Sequence, residues 1–142
     1  MKTLKQLLEV KGRDVYTITP DARVLDALRM MAEKSVGALI VTDGGRIAGV
    51  ISERDYARKV ILHGKSSHEL QVCDIMTSKV ITVHPGQTVE ECMALMTEMR
   101  IRHLPVTEGE RLIGVLSIGD LVKEVIAEQQ QTIRELESYI HH

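Results

Sequence analysis

The chain has 142 residues, 44% of them hydrophobic and 27% charged, with a net charge of -2. That length holds one compact core or two very small ones, and the absence of a basic excess argues against a nucleic-acid partner. Phe and Trp are missing and there are three Tyr and seven Met, so branched aliphatic residues and Met must fill the interior, which suits thin α/β layers.

In chain order, Thr3-Leu4-Lys5-Gln6 predicts a capping box that opens a short helix, which Gly12 ends. Val15-Tyr16-Thr17-Ile18-Thr19 reads as a β-branched strand. Pro20-Asp21 punctuates it before a helix with Val24, Leu28 and Met31 on one face. Ala38-Leu39-Ile40-Val41 reads as a buried strand, Asp43-Gly44-Gly45 as a hairpin turn, and Ile47 to Ile51 as the returning strand. A second helix is expected from Ser52.

The same order then recurs. Residues 15–59 match 80–124 without a gap at an offset of 65, keeping Pro20/Pro85, Gly49/Gly114, Ser52/Ser117 and Asp55/Asp120 in register. The helical stripe returns as Val89, Met93 and Met96, and Glu108-Gly109-Glu110 is a weaker copy of the turn. Met30, Met31, Met93, Met96 and Met99 have helical spacing and read as core. After Ser117 a long helix carries Val122, Ile126, Ile133, Leu136 and Ile140 on one face, with Gln129 interrupting. That face packs either on the other unit or on another subunit.

Cys73 and Cys92 lie too far apart for a Cys-x-x-Cys site, no His pair stands at zinc spacing, and both are expected to be buried thiols. His68 and His84 read as surface residues. The N-terminal residues lack an apolar signal core and no stretch approaches the roughly 20 apolar residues that span a bilayer, so a cytoplasmic protein without a membrane partner is expected. No nucleophile with a base, no paired acids and no Gly-x-Gly-x-x-Gly fingerprint are present, so no catalysis, and no catalytic cofactor, is expected.

Two copies of a strand-helix-strand-strand-helix unit, each ending in Gly-Val-(Ile/Leu)-Ser-x-x-Asp, resemble a tandem pair of cystathionine β-synthase (CBS) domains, a Bateman module. The second copy is the closer match, through Arg102-His103-Leu104-Pro105-Val106 and Gly114 to Leu121; the first has Val36-Gly37-Ala38-Leu39-Ile40-Val41 and Gly49 to Asp55. The resemblance covers nearly the whole chain. It implies an α/β (α+β) fold of two β-α-β-β-α units related by pseudo-twofold symmetry, divided here as 1–66 with the N-terminal helix and 67–142 with the long C-terminal helix. It also implies a regulatory module, commonly a homodimer, that binds AMP, ADP, ATP, NAD(H) or S-adenosylmethionine in the cleft between its units and acts on a separate, unknown target. A ligand-independent interaction scaffold is the alternative.

On spacing alone, Ser52-x-x-Asp55 and Ser117-x-x-Asp120 read as helix caps. The resemblance implies instead that Ser52 and Ser117 touch the ligand and that Asp55 and Asp120 accept hydrogen bonds from ribose hydroxyls, chemistry a carboxylate suits because it takes two neighbouring O–H donors. Candidate phosphate donors are Arg54, Arg58, Lys59, Lys65, Arg102 and His103, with Arg58 and Lys59 equally readable as solvated helix cations. Gly37 and Ala38 stand where the second copy has Arg102 and His103, so the two sites are expected to be unequal, the more so because Glu53 beside Arg54 opposes Ile118 and Gly119. The His63-Gly64-Lys65-Ser66-Ser67 loop is not a Walker loop and reads as a linker within reach of a diphosphate. Adenine is expected against Val36, Ile101 and Pro105, read by backbone groups near Thr17 and Thr82.

Overall fold

The computed structural model describes residues 2–66 and 68–141. The chain forms two compact units: residues 14–81, and residues 1–13 together with 82–142. These compact units differ from the repeat units 1–66 and 67–142 in where the leading segments pack. The helix ahead of each repeat has joined the unit built by the other repeat.

In the first unit, β1 (Thr17–Ile18) leads to α2 (Val24–Lys34), then to the hairpin of β2 (Ala38–Asp43) and β3 (Arg46–Ser52). β1 pairs parallel to β2, and β2 antiparallel to β3, in the order β1-β2-β3. Gly44 and Gly45 both take positive φ, 59° and 81°, as a two-residue hairpin turn requires. A short α3 (Glu53–Tyr56) runs into one π turn over Ala57–Ile61, and α4 (Val72–Ile75) closes the unit. Val24, Ala27 and Met31 from α2 bury against Leu39, Val41 and Ile51 of the hairpin.

The second unit opens with α1 (Leu4–Lys11), whose Thr3 and Gln6 form the expected capping box, and Gly12 caps its end at φ 100°. It continues with α5 (Val89–Met99), the hairpin of β4 (His103–Glu108) and β5 (Arg111–Ser117), and the 23-residue α6 (Ile118–Ile140). Its first strand is reduced to one bridge, Val83 to Val106. Pro105 is the reason. The equivalent Ile40 donates its N–H to the Tyr16 carbonyl, and proline has no N–H to give.

α1 and α4 do the same work in different units. Thr3 bridges Thr88, and Gln71 bridges Arg23, so each leading residue pairs with the start of the neighbouring repeat helix. Each segment then crosses a strand glycine. A Cβ on Gly114 would come 2.7 Å from Leu8 Cδ2, and one on Gly49 would come 2.8 Å from both Met76 Sδ and the Thr77 carbonyl oxygen.

Two expectations about burial are corrected. Cys73 is exposed, being on the outer side of the short α4, while Cys92 is buried. Met31 and Met96 are core, Met30 and Met93 are half-buried, and Met99 at the end of α5 is exposed. His68 and His84 are exposed, as expected.

Because a backbone carbonyl cannot swing aside as a side chain can, Gly49→Ala is expected to destabilise the chain by about 1–3 kcal/mol. Gly114→Ala should cost less, since the tip of Leu8 can shift. Urea unfolding of both variants tests this order; equal losses would mean that the Thr77 carbonyl is not the obstacle.

Candidate functional site

Both Ser-x-x-Asp segments are helix starts. Ser52 and Ser117 are extended N-cap residues, their hydroxyls accept the backbone N–H of Asp55 and Asp120, and each carboxylate accepts the serine N–H in return. The serine-to-carboxylate bonds are 3.0 Å at Ser52 and 2.8 Å at Ser117. The caps that spacing alone suggests are thus built in both copies, and each uses one oxygen, Oδ2, of its carboxylate.

What happens at the other oxygen separates the copies. Asp55 Oδ1 accepts a hydrogen bond from the Thr77 hydroxyl at 3.3 Å and an ion pair from Lys59 at 3.2 Å. Asp120 Oδ1 has no partner among the described residues, because its cation, the Lys11 ammonium, sits on Oδ2 at 2.6 Å. Lys11 also donates to the Val115 carbonyl. Lys11 was not legible as a site residue from the sequence; its only signal is its place in the last turn of a helix that turned out to pack on the second repeat.

Lys11 also acts on His103. Burial, then the positive charge of Lys11, then Arg102 hold the His103 imidazole below its ordinary value of 6.5, against the opposing pull of Asp120. For Asp120, burial pushes the carboxyl up, but the hydrogen bonds from Lys11 and Ser117 and the charge of Lys11 outweigh it, so the group stays ionised below its ordinary range. The second unit therefore gathers one carboxylate with an open oxygen, the Lys11 ammonium held on the other oxygen, the exposed Arg102 and an imidazole whose pKa is held below its ordinary value.

The first unit has no such set. Gly37 and Ala38 stand half-buried where Arg102 and His103 stand in the other copy, Arg54 is half-buried, and Arg58 and Lys65 are exposed. Lys59 is not a plain solvated cation: besides Asp55 it donates to the Ile75 carbonyl at 2.8 Å. Ser67 of the loop after Gly64 lies outside the described residues.

The backbone around both sites is set by paired left-handed residues, Ser35 at φ 55° and Arg100 at φ 56°, which end α2 and α5. They turn the chain so that the Gly37 carbonyl accepts the Glu53 N–H and the Arg102 carbonyl accepts the Ile118 N–H, at 3.1 and 2.8 Å. Val36, Ile101 and Ile118 are half-buried, Thr17 and Thr82 are exposed, and Pro105 is buried within β4, so of the three expected adenine walls Pro105 presents the least surface. No group of three or more metal-ligating side chains occurs among the described residues.

The depressed His103 value has a pH consequence. The unfolded chain binds a proton near 6.5 that the folded chain refuses, so stability contributed here is present above that pH and is lost as pH falls below it. Lys11→Met should move the His103 midpoint up towards 6.5 in an NMR titration. An unchanged midpoint would mean that Lys11 does not reach the imidazole.

The CBS domain family model matches residues 8–62 and 72–127. The mitochondrial CBS domain-containing protein CBSX3 of Arabidopsis thaliana is 42% identical over 147 residues, covering 97% of this chain and 71% of the relative. A protein from Burkholderia ambifaria MC40-6, described as a signal-transduction protein with CBS domains, has a structure that superposes with TM-score 0.87 at 56% identity, covering 90% of this chain and 96% of the other. The CBS domain pair of protein MJ0100, in complex with 5-methylthioadenosine and S-adenosyl-L-methionine, shares the fold with TM-score 0.80 at 22% identity, covering 90% and 98% of the two chains. No described helix is long and apolar enough to cross a membrane. With two repeats matching the same family model and relatives alike along nearly all of its length, the chain belongs to the CBS-domain family as a tandem pair of these regulatory domains.

Proposed function

We propose that this chain is a cytoplasmic sensing module, not an enzyme, that binds an adenosine compound (AMP, ADP, ATP, NAD(H) or S-adenosylmethionine) and signals to a separate target protein through a ligand-dependent rearrangement of the pair. The module works as a homodimer. The observation that carries this reading is the Asp120 carboxylate, half engaged by its own helix cap and open at Oδ1, beside Lys11, Arg102 and His103. A ribose diol supplies two O–H donors and suits the open oxygen, while an anionic phosphate suits the cations. The adenosine ligands of the MJ0100 pair support the ligand class.

The second unit is the stronger site in this reading. A ligand at Asp55 would have to displace the Thr77 hydroxyl or Lys59 to gain a carboxylate oxygen, and it finds glycine and alanine where the other copy has two basic residues. Lys11 can stay on Oδ2 while ribose takes Oδ1. The ligand shifts the pair only as far as its affinities for the two arrangements differ.

A thermal-shift panel of AMP, ADP, ATP, NAD, NADH and S-adenosylmethionine, on protein first freed of co-purified nucleotide, tests the proposal. A compound at about 100 times its dissociation constant adds roughly 2.7 kcal/mol of stability, and a selective rise in melting temperature is expected for one of them. Asp120→Asn, which keeps an acceptor for the Ser117 N–H, should weaken that compound about tenfold or more, roughly 1.4 kcal/mol. No response from any compound would favour the ligand-independent scaffold. A response that survives Asp120→Asn would move the site away from the second unit.

A further inference from the structure

Along α6, Val122, Ile126, Gln129, Ile133, Leu136 and Ile140 are spaced alternately by four and three residues, the 3.5-residue period of a two-helix seam rather than the wider stripe of a helix on a core. The seam is uncovered. Exposure of its apolar members rises from 39% at Val122 to 76% at Ile140, whereas Leu121 and Glu124 of the same helix are buried in their own unit, Glu124 paired with Lys2 at 3.0 Å.

We propose that α6 pairs with α6 of a second copy of this chain as an antiparallel two-helix coil. The charges beside the seam choose this occupant and this direction. In the antiparallel register Val122 stacks on Ile140 of the second copy, Ile126 on its Leu136, and Gln129 on its Ile133. Lys123 then faces Glu137 of the second copy, twice by symmetry, Gln130 faces its own copy, and Val125 lies beside Tyr139. No like charges meet. In a parallel coil the flanking contacts of Lys123 and Glu137 are Ile118 and Thr132, so neither charge is matched. A self-complementary seam is what a twofold axis demands. A lipid surface fits poorly, because the stretch carries Glu124, Glu128, Glu135 and Glu137 against only Lys123 and Arg134.

The seam is about 27 Å long at 1.5 Å per residue, so dimerisation is expected to depend on concentration. It gives the homodimer proposed above a specific interface and makes no use of the ligand site. Sedimentation velocity of the full chain across a concentration series should show a monomer–dimer equilibrium. Ile133→Asp, at an exposed position, should raise its dissociation constant at least about tenfold with an unchanged circular dichroism spectrum. Lys123→Glu and Glu137→Lys should each weaken dimerisation, and the double variant should restore it.

A wild-type chain that stays monomeric at every concentration would overturn both the interface and the homodimer. A dimer that survives Ile133→Asp would overturn the interface alone. Singles that match wild type, or a double variant that restores nothing, would overturn the antiparallel direction and with it the proposal.

Discussion

Each Ser-x-x-Asp turn asks one carboxylate to serve a helix and leave something over. A helix start has N–H groups without partners inside the helix, and here the aspartate and serine satisfy them reciprocally. The shorter acid suffices because only Oδ2 is needed. What remains, Oδ1, is consumed in the first unit by Thr77 and Lys59, and in the second has no partner among the described residues. Two nearly identical turns thus differ in chemistry through residues that lie outside the turn itself.

Lys59 comes from the helical segment of Asp55 itself, whereas Thr77 and Lys11 arrive by the exchange of leading helices. α4 brings Thr77 to Asp55, and α1 brings Lys11 to Asp120. The exchange depends on Gly49 and Gly114, because any Cβ there would meet the crossing segment at 2.7–2.8 Å. Gly49 and Gly114 are therefore packing positions, unlike the turn glycines Gly44 and Gly109, and the electrostatics of each site follows from which segment the glycine admits.

The repeat made most of this legible. The register of residues 15–59 with 80–124 predicted both hairpins, both repeat helices and the two helix starts, since turn glycines, β-branched runs and caps are local signals. The parts that escaped are non-local. Nothing in Leu4 to Lys11 says which repeat the helix will cover, so Lys11 was invisible as a partner of Asp120, and residues 1–13 group with 82–142 rather than with the repeat they precede. Pro105 could have warned that the second copy would lose its first strand, because the donor missing from proline is a property of the residue, yet its consequence needs the pairing of Ile40 with Tyr16 to be seen. Cys73 read as buried on composition, and the four-residue α4 is too short to bury every face.

One helix connects the two proposals. α6 starts at the Ser117 cap, where Asp120 presents its open oxygen, and continues as a single unbroken rod of 23 residues to the end of the exposed seam. If a ligand at Asp120 changes the position of the first turn, the seam moves with it, since an intact helix has no hinge to absorb the shift. Linkage then works both ways: whatever factor the ligand changes in dimer affinity, dimerisation changes in ligand affinity. A ligand indifferent to the position of α6 would leave the dimer untouched however tightly it bound. The direction of the coupling is set by which placement of Lys11 and Asp120 the paired helices favour, so the same ammonium that holds Asp120 ionised also stands where binding and pairing meet.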